Sequence, residues 1–133
     1  MSYAAALAAI IAHFDTNWAG TTEIAWPNVQ FSSSGVTEYV RVDINDGVDT
    51  QITVGNAAND WRKFGVLIIQ VFTELESGAK RSAELVDIVT NLYRGLQLSP
   101  SITFGEQDVV TVGQNDGFYQ VNVEVEFHRD EQH

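Results

Sequence analysis

Cysteine is absent from the 133 residues, which excludes a disulfide scaffold, thiolate zinc sites, iron–sulfur clusters and a cysteine nucleophile. Cations are scarce: 7 Lys and Arg stand against 18 Asp and Glu, a formal net charge of −11. So acidic a chain is repelled by nucleic acid and by anionic bilayers unless its few cations gather on one face. General binding to either is therefore not expected. Long hydrophobic runs are also missing. Ala4 to Ala12 is apolar throughout, but it falls far short of the ~20 residues that span a bilayer. No Lys or Arg precedes it and no convincing cleavage site follows, so it does not read as a signal peptide. A soluble, cytoplasmically made protein is the expectation. There is no nucleophile elbow, no glycine-rich phosphate loop and no interleaving of basic and aromatic residues.

What is present suffices for one folded domain spanning residues 1–133. At 44% hydrophobic content the chain is not a disordered tail, and one of this size buries about two-thirds of its unfolded surface. Tyr3, Leu7, Ile10, Ile11, Phe14 and Trp18 recur at helical spacing, with Ser2 as N-cap and alanine on the other faces. Thr21 to Phe31 reads as an extended edge interrupted by Trp26-Pro27-Asn28, and Ser32 to Gly35 as a loop. Val40, Val42 and Ile44 alternate with polar neighbours and predict a half-buried strand. Asn45-Asp46-Gly47 predicts a turn, with Gln51 to Val54 as a short return strand and Gly55 to Asp60 as a mobile loop. Gly65 to Phe72 is apolar except for Gln70, which predicts a central strand covered on both faces. A second helix is expected to open at Ser77-Gly78 and run to Tyr93 or Arg94. Its stripe is Leu85, Ile88, Val89, Leu92 and Leu96, and Gly95 follows as its cap. Asp108 to Val112 and Phe118 to His128 predict a hairpin around Gly113 to Gly117. In its second strand Tyr119, Val121, Val123, Val125 and Phe127 point inward, and Gln120, Asn122, Glu124, Glu126 and His128 face water. The pattern as a whole predicts an α+β fold, two helices packed on a mostly antiparallel or mixed β-sheet with a C-terminal β-hairpin.

Few residues suggest chemistry. His13, His128 and His133 are too scattered for a metal site, and His13 and Asp15 lie two apart, on different sides of a helix. Glu124 and Glu126 share one face of a strand and would be able to share a proton or a cation. With so many acids, a solvated face is the simpler explanation. Gly113 to Gly117 lacks the spacing and closing Glu of a calcium loop. Trp61-Arg62-Lys63 is the one notable cationic cluster, read either as a guard on a strand edge or as a specific contact. No catalytic, metal-binding or cofactor-binding residue is expected, and an enzyme is not.

Several segments together resemble the small tail-terminator family of long-tailed bacteriophages, over nearly the whole chain. They are the first helix ending at His13 to Trp18, and Ile24-Ala25-Trp26-Pro27-Asn28. Arg62 with Gly65 to Phe72 follows, then Gly78 leading the second helix and the strand Gly117 to Val123. Order and spacing carry the resemblance, not any single motif. It implies a protein without cofactors that forms a homohexameric ring, caps the tail tube, ends its polymerisation and offers a docking surface to the head. The implied partners are further copies of itself, the major tail tube protein and the head–tail connector protein. Genome DNA would pass through the lumen without specific binding, and no membrane is involved. The implied location is the virion tail, assembled in the bacterial host cytoplasm. Trp61, Arg62, Lys63, Asp46, Asp49 and Gln51 are the candidate subunit or tube contacts, with Arg62 and Lys63 expected to meet acids of a neighbour. Trp26, Pro27, Asn28, Gly65, Gln70, Phe72, Tyr119 and Gln120 are the candidate structural positions of the family pattern. Two alternatives remain: another neck component, such as a head-completion, connector or minor tail protein, and a small enzyme using Glu124, Glu126 or His128.

Overall fold

The computed structural model describes residues 2–18, 20–51, 60–76 and 78–132. Helix α1 (Tyr3–Trp18) is followed by strands β1 (Glu23–Ala25), β2 (Tyr39–Gln51) and β3 (Asp60–Glu74). Helix α2 (Lys80–Tyr93) then leads to β4 (Gln97–Ser99), β5 (Ile102–Asn115) and β6 (Phe118–Gln132). The strands form one sheet in the order β1-β2-β3-β6-β5-β4. Only the β1–β2 pairing is parallel. The fold is therefore α+β with a mixed sheet ending in the β5–β6 hairpin.

Helix α1 begins where Ser2 Oγ accepts the Ala5 N–H at 3.2 Å, which satisfies one of the free donors of the first turn. Its buried stripe is Ala6, Ile10, Phe14 and Trp18; Tyr3, expected inside, is 45% exposed. Helix α2 starts at Lys80, later than expected, after Gly78 at φ +83° and with no side-chain cap on Ala79. Ser77 lies outside the described residues. The buried stripe of α2 is Ser82, Leu85, Val86, Val89 and Tyr93, while Ile88 faces water. That turns the stripe slightly from the expected one and brings Tyr93 under the His13 ring at 5.6 Å. Gly95 at φ +67° ends the helix, the left-handed position that glycine fills without strain.

One buried cluster joins both helices to the sheet: the α1 stripe, Leu85, Val89 and Tyr93 meet Val40, Val42, Leu67, Ile69, Val71, Val121, Val123, Val125 and Phe127. α2 rests on β3, β5 and β6. Cross-strand register aligns Val42, Ile69 and Val123 on this face, so alternation alone supplies the core. β3 is central, between β2 and β6. Its second face is closed only at the Phe72 end, where Phe72 is buried with Tyr39 under Phe31 and Phe118; Val66, Ile68 and Gln70 are only half-buried. The helices lie over the opposite face, and residues from four strands share this one with solvent.

Asn45-Asp46-Gly47 makes no turn. β2 runs through it, with one more residue than β3 between the pairs Asp46–Gly65 and Asp49–Lys63. This is a β-bulge. A two-residue Asn-Gly-type turn needs positive φ, and none of the three residues has it. Gln51 closes β2 opposite Trp61; the rest of the expected return strand, and the loop expected at Gly55 to Asp60 save for Asp60 itself, lie outside the described residues. The second hairpin turns tightly at Asp116 (φ +50°) and Gly117 (φ +84°), so Gly113 sits inside β5, where the register shifts after Thr111.

Candidate functional site

Past Gly65 the ends of β2, β3 and β6 continue as an extension, which Ile102 and Thr103 of β5 still flank at Arg129 and His128. Here Trp61, Arg62 and Lys63 lie opposite Glu131, Asp130 and Arg129 on one side and Gln51, Thr50 and Asp49 on the other. The register places Asp49 and Gln51 against the cationic segment; their side chains lie outside the description. Arg62 Nε and Nη2 donate to Asp130 Oδ1 and Oδ2 at 2.9 and 3.2 Å, and Lys63 Nζ stands 3.4 Å from Glu131. The Arg62 guanidinium holds the Asp130 carboxyl below its usual range, and the carboxylate raises Arg62 in turn. These cations thus pair with acids of their own chain. They also occupy an inner strand, so the guard on a strand edge is overturned: β3 is hydrogen-bonded on both sides here.

Sequence reasoning missed the residue at the centre of this extension. Arg129 is 1% exposed. Its Nη2 donates to Asp46 Oδ2 at 2.6 Å and its Nη1 to Glu131 Oε2 at 2.8 Å, with the Tyr3 ring 5.6 Å from its guanidinium carbon. Burial alone would favour losing the proton, but bonds to Asp46 and Glu131 outweigh it and raise Arg129. A signal was present, because position 129 continues the inward phase of Val121, Val123, Val125 and Phe127.

The family-pattern positions are spread over the fold. Trp26 packs edge-on against Phe14, and Pro27 leads into a turn in which Asn28 has φ +54°. A Cβ on Gly65 would lie 2.6 Å from Phe127 and 2.7 Å from the Asn45 carbonyl, so that strand crossing admits only glycine. Phe72 stacks on Tyr39 at 4.5 Å, with Phe118 edge-on to Tyr39, and Tyr119 packs on the main core. Gln70 lies between Arg41 and Asn122. Gln120, expected in water, is 4% exposed. Its Oε1 accepts from Asn115 at 2.6 Å and its Nε2 donates to Asn122 at 2.8 Å, which satisfies the buried amide.

The helix-free face is acidic. Asp43, Ile68, Glu124 and Asp108 stand at one level across four strands. Beside them Val66, Glu106, Gln107, Asp108, Glu124 and Glu126 line an open depression of about 440 Å³. It offers carboxylates, one amide and one valine, with no cation or hydroxyl to stabilise a developing charge. Among the described residues no three His, Asp or Glu are placed to hold a metal ion. No helix among them is long and apolar enough to cross a membrane. At the sheet borders, β1 covers only Tyr39–Arg41 of β2, and β4 pairs only with Ile102 and Thr103 of β5.

Compared with known proteins, residues 5–127 match a family model described as phage tail terminator protein. No curated protein matches by sequence. Among the solved structures that match, one is 15% identical with a TM-score of 0.63, covering 92% of this chain and 94% of that chain. At that identity the likeness concerns the fold.

Proposed function

The chain belongs to the phage tail terminator family, and from that premise we propose that it ends growth of the tail tube by closing into a hexameric ring on the tube's last layer. Family membership makes it a component of the virion tail and of tail assembly. In this reading its upper surface then receives the head or its connector, assembly takes place in the host cytoplasm, and its work is binding rather than bond-making.

The observation that carries the reading is the two-sided character of the sheet. One face is closed by helices and the other presents Asp43, Asp108, Glu124 and Glu126. Six copies placed with helices outward would line a lumen with carboxylates, and a like-charged wall lets a polyanion slide past without adhering. A ring is a closed heterologous assembly, so each subunit needs two different complementary surfaces. The partly covered borders at β2 and β5 are two such surfaces on one subunit.

Solution mass by light scattering, at low and high ionic strength and with magnesium, tests the ring directly. At −11 per chain the copies repel one another, so six-fold mass is expected as screening increases. A monomer in every condition that also fails to bind polymerised tube protein overturns the proposal. In the phage, loss of the protein is expected to give overlong or unjoined tails. Heads that leak DNA would instead identify a head-completion protein.

A further inference from the structure

We propose that neighbouring subunits join by strand pairing, with Val42–Asp46 of β2 in one copy antiparallel to Gln107–Thr111 of β5 in the next. This deepens the ring reading and rests on it. Among the described residues, β2 is free of a second neighbour after Arg41, where β1 ends, and it stays regular only to Asp46, where the bulge begins. β5 is free after Phe104, whose N–H still donates to the Leu96 carbonyl at 2.9 Å, and its regular stretch runs from Gln107 to Thr111 between two register shifts. Each open, regular window is therefore five residues long. Unpaired main-chain groups on a strand edge take an extended partner. The β5 window carries no Lys or Pro to deter one, and Val109 and Val110 are 48% and 39% exposed.

Strand direction permits the pairing. β2 and β6 run one way, β3 and β5 the other, so rotating a copy about an axis along the sheet brings β5 antiparallel to β2.

Superposing the two windows fixes the register as Val42–Thr111, Asp43–Val110, Ile44–Val109, Asn45–Asp108 and Asp46–Gln107. Side chains then meet others on the same face of the sheet. Ile44 and Val109 pair on the helix side, and Asp43 and Val110 on the acidic side. No carboxylate faces another. An unstaggered junction would do the reverse, because Asp43 and Asp108 stand at one level within a subunit and would meet head-on. The offset between the two registers is two residues. An even offset keeps the faces aligned, and closing a sheet into a barrel requires such a stagger.

The cysteine-free chain allows a direct test. Ile44→Cys with Val109→Cys in one chain should, on mild oxidation where light scattering shows a ring, give a covalent ladder that ends at the ring's own mass. Each single variant alone should stay uncrosslinked, and an equal mixture of the two should stop at dimers. Asp43→Cys with Val110→Cys, on the other face, should repeat the ladder if the first pair perturbs folding. Asp43→Cys with Asp108→Cys should not, since thiols out of register do not reach disulfide geometry. A ring without a ladder, or a ladder only from the Asp43/Asp108 pair, overturns the pairing and leaves the ring. Absence of a ring in every condition overturns both.

Discussion

The sheet is held in two different ways along its length. Under the helices, Val42, Ile69, Val71, Val123 and Val125 are fully buried among aliphatic and aromatic neighbours. Past Gly65 the same strands continue with only Tyr3 at the start of α1 against them, over Arg129, and charge takes over. Arg129 joins Asp46 and Glu131, Arg62 joins Asp130, and Lys63 approaches Glu131. Burial is cooperative and almost independent of salt and pH. Ion pairs are directional, so they fix register, and their worth depends on how well water is excluded. The body is therefore expected to supply most of the folding free energy. The extension is expected to be a weaker unit whose shape is set by matched charges.

The largest effects should separate the two regions. Phe14→Ala removes a fully buried ring and should cost about 3–5 kcal/mol, read as a lower urea midpoint with every amide losing protection together. Arg129→Ala leaves two carboxylates without their shared cation, a loss of about 3 kcal/mol. Its effect should be local: amides of 61–65 and 127–131 should exchange faster, while those of 67–71 keep their protection. Uniform loss of protection in Arg129→Ala would mean that body and extension form one cooperative unit.

An exposed pair sharpens the same contrast. Arg62 and Asp130 have side chains 35% and 32% exposed, so despite two hydrogen bonds the pair should contribute less than about 1 kcal/mol. Arg62→Ala should therefore shift the midpoint little, and less still at high salt, where exposed charges are screened. A loss as large as that of Arg129→Ala would show that exposure does not rank these pairs.

The body was more legible than the extension, for a physical reason. Period-two alternation from Tyr119 to Phe127 and the run Gly65 to Phe72 reveal strands because burial acts on every second residue whatever the partner. Arg62, Lys63, Asp130 and Glu131 carry no such signal. Their meaning lies in a partner nearly seventy positions away, which only the register supplies. Asn45-Asp46-Gly47 misled for a related reason, since a bulge and a turn draw on the same residues and are told apart by the strand opposite. Gln120 kept the polar phase of its strand but is buried, because Asn115 and Asn122 satisfy its amide. The acidic face and the open borders follow from strand order, which alternation does not encode.

The smallest expected effect concerns pH within the body. His13 lies on α1 against Tyr93, with Nδ1 buried and no hydrogen-bond partner among the described residues. Burial lowers its pKa below the ordinary 6.5, so as pH falls the unfolded chain takes up the proton first. Stability should therefore decline as pH drops through about 6.5 and continue to fall until the folded-state pKa is passed. His128, in the extension, is lowered as well, by burial and then by Arg62, against the opposing pull of Asp130. A His128→Gln background isolates His13. In that background, urea midpoints between about pH 7 and about pH 5.5 should fall with acid, and adding His13→Phe should flatten the slope. Asp130 is lowered instead, by Arg62, so its contribution survives that interval and fades only in stronger acid. An unchanged slope in His13→Phe would place the ring in water and break the assignment of this pH sensitivity to the body.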